Sequence, residues 1–298
     1  MQLQSMPCVL CGNISDGPIK YKKNFRIEDL NDKVFSARRL PDRIHYQILR
    51  CPQDGMIWSS PVLPAEHAAK LYARSSFSYV DEVENLTATY LSVLKEVLDN
   101  IKFEAAILEI GCGNGFVLEA LDKKGFHHLQ GIEPSQDAVQ KSSPHIRGKI
   151  INNMFDEGIF PEGTFDLIYF FQTLDHIYDP NKLIAQCFKL LKPGGHIVAF
   201  QHDIEAWSAR LLGELSPIID VEHIYLFSPR TLKAIFEKHG FSVEHVYSPV
   251  NQISLRHLLW LTPIPQGIKE MLLKAPWKCL SRSIRVKLGN LCLVAKKV

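Results

Sequence analysis

Glu109, Gly111, Gly113 and Gly115 fall in one run, Ile107-Leu108-Glu109-Ile110-Gly111-Cys112-Gly113-Asn114-Gly115-Phe116, and Glu133 closes a second apolar run, His128 to Ile132. Glycines at this density let the main chain bend through angles closed to other residues and let a ligand come close to the backbone. A helix beginning at Phe116 would aim its unpaired N–H groups at that ligand. A carboxylate about twenty residues past the glycines suits the hydroxyls of a ribose. The spacing Gly-x-Gly-x-Gly departs from the Gly-x-Gly-x-x-Gly of pyrophosphate binders. Glu109, just before the first glycine, would repel a phosphate and accommodate an ammonium group.

Ribose without diphosphate, beside the ammonium of an amino acid, describes S-adenosylmethionine. Two further segments agree. Phe165-Asp166-Leu167-Ile168-Tyr169-Phe170-Phe171 is a nearly continuous apolar run, as expected of a parallel strand buried on both faces. It leads into Gln172-Thr173-Leu174-Asp175-His176-Ile177-Tyr178-Asp179-Pro180, a helix over Lys182–Leu191, the turn Lys192-Pro193-Gly194-Gly195 and a strand over His196–Gln201. The stretches Leu-Glu-Ile-Gly-Cys-Gly-Asn-Gly, Gly-Ile-Glu-Pro-Ser, Phe-Asp-Leu-Ile with Leu-Asp-His-Ile-Tyr-Asp-Pro, and Leu-Lys-Pro-Gly-Gly-His-Ile follow in order over roughly a hundred residues. With them the chain resembles the class I S-adenosylmethionine-dependent methyltransferases. The resemblance implies that Glu109, Gly111, Gly113, Gly115 and Glu133 hold the cofactor. It places Met154 and Phe155 of Asn152-Asn153-Met154-Phe155 against adenine, where the usual acid is missing, and Gln172 between cofactor and acceptor.

Methyl transfer needs a positioned acceptor and, where the acceptor carries a proton, a base. His176 has a suitable side chain, with turn-capping as its other reading. His223, in Asp220-Val221-Glu222-His223-Ile224-Tyr225, is the stronger candidate. The Glu-His pair resembles sugar C-methyltransferases in which the histidine is the base. Glu222 would raise the basicity of His223 or bind a sugar hydroxyl. Tyr72 and Tyr79 belong to a helical lid, where a ring covers the cofactor or a hydroxyl binds the acceptor; core packing is the alternative.

Cys8-Val9-Leu10-Cys11-Gly12 has the spacing of a zinc knuckle. Its partner, Cys51-Pro52-Gln53-Asp54-Gly55, carries Asp54 where a fourth thiolate belongs. A Cys₃Asp site of Cys8, Cys11, Cys51 and Asp54 is one reading, with His45 as substitute ligand, and a metal-free relic is the other. Sugar-modifying and polyketide or antibiotic methyltransferases resemble this order of a zinc-binding unit before the catalytic domain.

These residues need a frame to hold them. Alternating strands and helices from Ala105 to about Pro193 predict an α/β, doubly wound, seven-stranded and mostly parallel sheet, with a small zinc-ribbon-like unit ahead of it. Residues 1–62 form that unit and 63–104 a helical lid or linker, with Leu86, Tyr90, Leu94, Val97, Leu98 and Ile101 on one stripe. Residues 105–298 form the methyltransferase domain, with an insertion at about 251–289. Ser228-Pro229-Arg230-Thr231 caps a helix ending near His239-Gly240, a strand follows over Phe241–Val246, and the resemblance makes Asn290–Lys296 a final antiparallel strand. Seven cysteines, an odd number, and an N-terminus with neither a basic nor an apolar leader pattern point to the cytoplasm.

The chain carries a net charge of +2, yet from Asn251 onward nine Lys/Arg face one acid, a surplus of eight that leaves the first 250 residues at −6. That acidity weighs against the first rival, an RNA methyltransferase with a zinc knuckle, and makes nucleic acid an unfavoured partner. The acceptor expected is a small molecule, a sugar or nucleotide-linked sugar. A cofactor-binding partner subunit without catalysis is a second rival. The third is a quinone or lipid acceptor, with peripheral membrane contact through the basic segment; that segment also reads as the solvated face of packed helices.

Overall fold

A computed structural model describes residues 2–14, 17–30, 43–73, 82–274 and 278–298. Three short strands come first: β1 (Ile19–Tyr21), β2 (Ile48–Arg50) and β3 (Ile57–Ser59). Helices α1 (Ala65–Ala73) and α2 (Val83–Leu98) lead to β4 (Ile107–Ile110), α3 (Phe116–Asp122) and β5 (Leu129–Ile132). Next come α4 (Gln136–Gln140), α5 (Pro144–Arg147), β6 (Ile150–Ile151) and β7 (Phe165–Phe171). The chain continues through α6 (Pro180–Leu190), β8 (Leu191–His202), α7 (Trp207–Leu212), β9 (Tyr225–Leu226), α8 (Pro229–Lys238) and β10 (Phe241–Tyr247). It ends with β11 (Asn251–Ser254), α9 (Leu255–Leu261), α10 (Gln266–Lys274), β12 (Ser283–Val286) and β13 (Asn290–Lys297).

The main sheet has seven strands in the order β10-β13-β8-β7-β4-β5-β6. Only β13 runs against the others, pairing antiparallel with β10 and β8. The alternation along β7 shows why its sequence is apolar throughout: Ile168 and Phe170 join one core, while Leu167, Tyr169 and Phe171 join the other. Tyr90 and Leu94 of α2 cover the second face, and Trp58 of β3 and Ile184 of α6 belong to the core of the first. Strand order reverses beside β4, between β5 and β7, and in open α/β sheets ligands bind at such a switch, beyond the carboxyl ends of the strands.

Two local expectations change. Lys192-Pro193-Gly194-Gly195 lies inside β8: α6 ends at Leu190, Leu191 is already extended, and the pairing of β7 with β8 shifts register between Phe165 and Leu167. The proline and glycines that stop the helix are absorbed as a bulge, because β7 offers a partner to the chain at once. Within the expected helical stretch 63–104 the described residues form α1 and α2, and the predicted stripe falls on α2, with Tyr90, Leu94 and Val97 buried as it requires. The first three strands do not stand apart, since β3 pairs antiparallel with β9 to give the four-stranded sheet β1-β2-β3-β9. Within 251–289, β11 and β12 form an antiparallel pair. Among the described residues no helix is long and apolar enough to cross a membrane.

Candidate active site

A cleft of ≈ 670 Å³ opens at the carboxyl ends of β4, β5, β7 and β8; Glu109 of β4 and Glu133 just after β5 line it, as does Glu222 from the segment before β9. After β4 the chain passes Gly111 at φ +75°; a Cβ there would lie 2.6 Å from Thr173 Oγ1, so a side chain is excluded by both angle and space. Gly113 donates its N–H to Glu133 Oε2 at 2.8 Å, and Ser135 N–H donates to Glu133 Oε1 at 2.8 Å. Those two bonds fix the carboxylate at the mouth of the glycine turn. Burial pushes the Glu133 pKa up, and the Ser135 and Gly113 amides partly counter it. Glu109 is buried and its Oε2 accepts from the Tyr169 hydroxyl at 3.0 Å. Gly115, also left-handed, is the residue from which α3 starts. Met154, 47% exposed, and Phe155 lie on the same wall. Gln172 borders the cleft with φ +51°, a conformation costly for a residue with a side chain and concentrated at functional sites.

At the other end three histidines converge on one buried carboxylate. His202 Nδ1 lies 2.8 Å from Asp175 Oδ2. His223 Nε2 is 3.9 Å from Asp175 Oδ2, and His176 Nε2 is 3.7 Å from Asp175 Oδ1. His223 Nδ1 lies 2.8 Å from the Ile218 carbonyl oxygen, which can only accept, so the proton belongs on Nδ1 and Nε2 carries the lone pair. Its ring centroid is 4.9 Å from that of His176 and 4.7 Å from that of His202. Burial drives the His223 pKa below the ordinary histidine value, against the pull of Asp175 and Asp220. The upward shift expected from Glu222 is thereby reversed, because desolvation of the imidazolium outweighs its neighbours' charge. Asp175 behaves oppositely: burial works to raise it, but His176, the His202 hydrogen bond and His223 hold it well below the carboxylate range. The His176 ring meets Tyr72 Oη at 3.0 Å through Nδ1, and its turn is closed by a backbone bond from Ile177 N–H to Leu174 O.

The chain matches the family model described as a methyltransferase domain over residues 83–246, more than half its length. It belongs to the S-adenosylmethionine-dependent methyltransferases. An uncharacterized methyltransferase of Geobacillus thermodenitrificans is 30% identical over 192 residues, 60% of this chain and 87% of that one. A ubiquinone biosynthesis O-methyltransferase of Pectobacterium carotovorum is 25% identical over 46% of this chain, which spans 59% of that protein's length. The structure of a SAM-dependent methyltransferase of Thermotoga maritima superposes with a TM-score of 0.50 at 16% identity, covering 74% of this chain and 92% of that one; this likeness concerns the fold.

The methyltransferase gathers its N-terminal cysteines as well. Cys8 Sγ lies 3.2 Å from Asp54 Oδ2, Cys11 Sγ lies 3.6 Å from Cys51 Sγ, and the four donor atoms fall within 4.8 Å of one another. Bonds of about 2.3 Å to a tetrahedral zinc put sulfurs about 3.8 Å apart, so the donor set fits that ion. His45 does not substitute: its ring meets the Tyr46 carbonyl at 2.7 Å and Glu214 at 2.9 Å. Tyr79 lies outside the described residues, while Tyr72 borders the cleft. Asp175 and His202 were not singled out from the sequence of the methyltransferase. His202 was detectable in principle, as a histidine closing the parallel strand β8, the end at which such sheets bind ligands. Ser59 and β9 were not detectable: Ser59 Oγ donates to the His223 carbonyl at 3.0 Å across 164 residues of sequence.

Proposed function

We propose that this methyltransferase acts on a small-molecule acceptor, a sugar unit, with His223 as general base. The observation that carries the reading is the Nε2 lone pair of His223, fixed by the Ile218 carbonyl and bordering the cleft that Glu133 and the glycine turn share. The cradle suits the cofactor: Gly111 leaves room for a close approach, and among the described residues lining the cleft there is no Lys or Arg to attract a diphosphate. Glu133 would hold the ribose hydroxyls, Glu109 the ammonium group, and Met154 and Phe155 the adenine. When bound, S-adenosylmethionine supplies a methyl group already activated on a sulfonium. The protein's own tasks are to place the acceptor, take its proton on His223 Nε2 and exclude water. Asp175 balances the charge His223 gains, and His202 hydrogen-bonds Asp175 and holds that carboxylate in place. Glu222 and Gln172 would bind acceptor hydroxyls. The want of Lys and Arg among the described residues lining the cleft also weighs against RNA, and the converging histidines against a subunit without catalysis.

Two measurements test this reading. Wild-type protein should release or absorb heat on binding S-adenosylhomocysteine; none at millimolar ligand would sink the methyltransferase assignment of the cleft. Incubation with candidate sugars and glycolipids should add a methyl group, read by mass, to at least one of them.

We also propose that Cys8, Cys11, Cys51 and Asp54 bind one structural zinc. Protein purified without chelator should carry about one zinc per chain, and Cys8→Ser should lose it. Zinc well below one per chain and unchanged by Cys8→Ser would show the site abandoned. A second metal reading concerns Asp175, His176 and His223, whose facing atoms are 3.7 and 3.9 Å apart, too long for hydrogen bonds. It requires a second ion per chain, lost in His176→Asn, and an activity that falls on chelation.

A further inference from the structure

Beside the residues assigned to the cofactor and the base, the cleft of ≈ 670 Å³ has a further, apolar wall. Beyond the histidines its wall is made by Ile218, Ile253, Leu258, Trp260, Leu261 and Leu288, and the described residues lining it include five acids and no Lys or Arg. A nucleotide-linked sugar would bring a diphosphate into that acidic, apolar chamber with no cation to receive it. The apolar wall continues outward. Trp207 and Leu211 of α7 border the cleft and are 62% and 76% exposed. Helix α7 abuts the end of the insertion, where a Cβ on Gly289 would lie 3.2 Å from Ser208 Oγ. From the insertion, α9 supplies Leu258, Trp260 and Leu261 to the wall and packs on α10, whose Ile268 and Met271 are exposed. Exposed apolar side chains around one opening are uncommon on a protein that meets only water.

Charge indicates what covers them. Residues 251–289 hold seven Lys/Arg and one acid, and Arg256, Arg282, Arg285 and Lys287 are exposed. The rest of the chain is net negative. The insertion beside the apolar rim therefore carries a positive surplus, which is the composition of a surface that rests on anionic lipid. Tryptophan at the rim fits the same boundary, with an apolar ring and a polar N–H.

Building on the methyltransferase reading above, we propose that the acceptor is a sugar carried on a long apolar chain, drawn from an anionic membrane on which α7 and the basic insertion rest. The sugar would reach Glu222 and His223, and the chain would lie along the Leu258–Trp260–Leu261 wall and leave past Trp207 and Leu211.

The test uses the full-length protein with vesicles of phosphatidylcholine alone or with about a third phosphatidylglycerol. The protein should sediment with the anionic vesicles at low salt, should not sediment with the neutral ones, and should be released as salt rises. Trp207→Ser combined with Leu211→Ser should lower vesicle binding at least about tenfold and leave S-adenosylhomocysteine affinity unchanged, since neither residue is among those assigned to the cofactor. No sedimentation, equal sedimentation with both vesicles, or undiminished binding by the double variant would overturn the proposal. A second measurement addresses the chamber: octyl glucoside should raise the melting temperature of the cofactor-product complex, and glucose at the same concentration should not. Equal protection by both sugars would overturn the apolar-chain assignment. Loss of S-adenosylhomocysteine binding in the wild type would instead strike the methyltransferase reading itself, so the two failures are distinct.

Discussion

His223→Asn should lower turnover by about 10²- to 10⁴-fold while leaving cofactor affinity near wild type, the range expected when an acid–base group is lost from an intact site. Asparagine keeps a polar group near the Ile218 carbonyl but has no basic nitrogen to present where Nε2 stood. The pH profile supplies an independent check. A base must be neutral to act, and burial lowers the His223 pKa, so the rate should climb through a value below about 6.5 and be flat at pH 7 to 8. Asp175 and Asp220 favour the His223 cation and His202 opposes it, and the His176 ring also faces it at 4.9 Å. His202→Asn removes the opposing charge and the hydrogen bond to Asp175, so the acidic limb should move upward and the rate should fall less than in His223→Asn. His176→Asn breaks the contact with Tyr72, and its loss should be shared between rate and stability. Small, equal losses in His176→Asn and His223→Asn, with a profile flat across pH 5 to 8, would show that neither histidine is the base.

Glu133→Ala should weaken S-adenosylhomocysteine binding by about 1.5 to 3 kcal/mol, roughly ten- to a hundredfold, through lost charge-assisted hydrogen bonds. The geometry adds a second loss. Each carboxylate oxygen already accepts one backbone N–H, from Gly113 or Ser135, and keeps a lone pair for a ribose hydroxyl. Alanine deprives those two amides of their acceptor, so the ligand-free protein should also melt at a lower temperature. Glu133→Gln keeps one acceptor oxygen and should fall between alanine and wild type in both measurements. Isothermal titration with thermal melts of the same samples separates the effects. Unchanged affinity with a lowered melting temperature would make Glu133 a brace for the glycine turn and no ligand for ribose.

Much of the cofactor half was legible in the chain because its determinants are local. The turn after β4, the start of α3 at Phe116, the Ser228 cap of α8 and the two-faced β7 each rest on residues close in sequence. Backbone angle, capping and strand periodicity act over a few residues, and the sequence therefore determined the doubly wound sheet and the glycine turn beside Glu133. The bulge in β8 was less legible, since Pro193 and the glycines say only that a helix stops, and β7 must be alongside before they can enter a strand.

The chemistry of the second half is set by distance in space. Asp175, His176, His202 and His223 come from three separate segments, and no pattern in the chain marks His202 as the partner of Asp175. The sign of the His223 shift depends on how completely the fold desolvates it, which outweighs the charges beside it and is not encoded by Glu222 alone. The same holds for the cysteines and Asp54, whose spacing suggested a metal but whose convergence on one point needed β2 and β3 to fold back. Sequence by itself determined the sheet, the glycine turn and the carboxylate that closes β5 beside it. Tertiary structure alone decided which histidines meet, which carboxylate they share and how apolar the cleft beside them is, because hydrogen bonding and desolvation depend on packing between segments far apart in the chain.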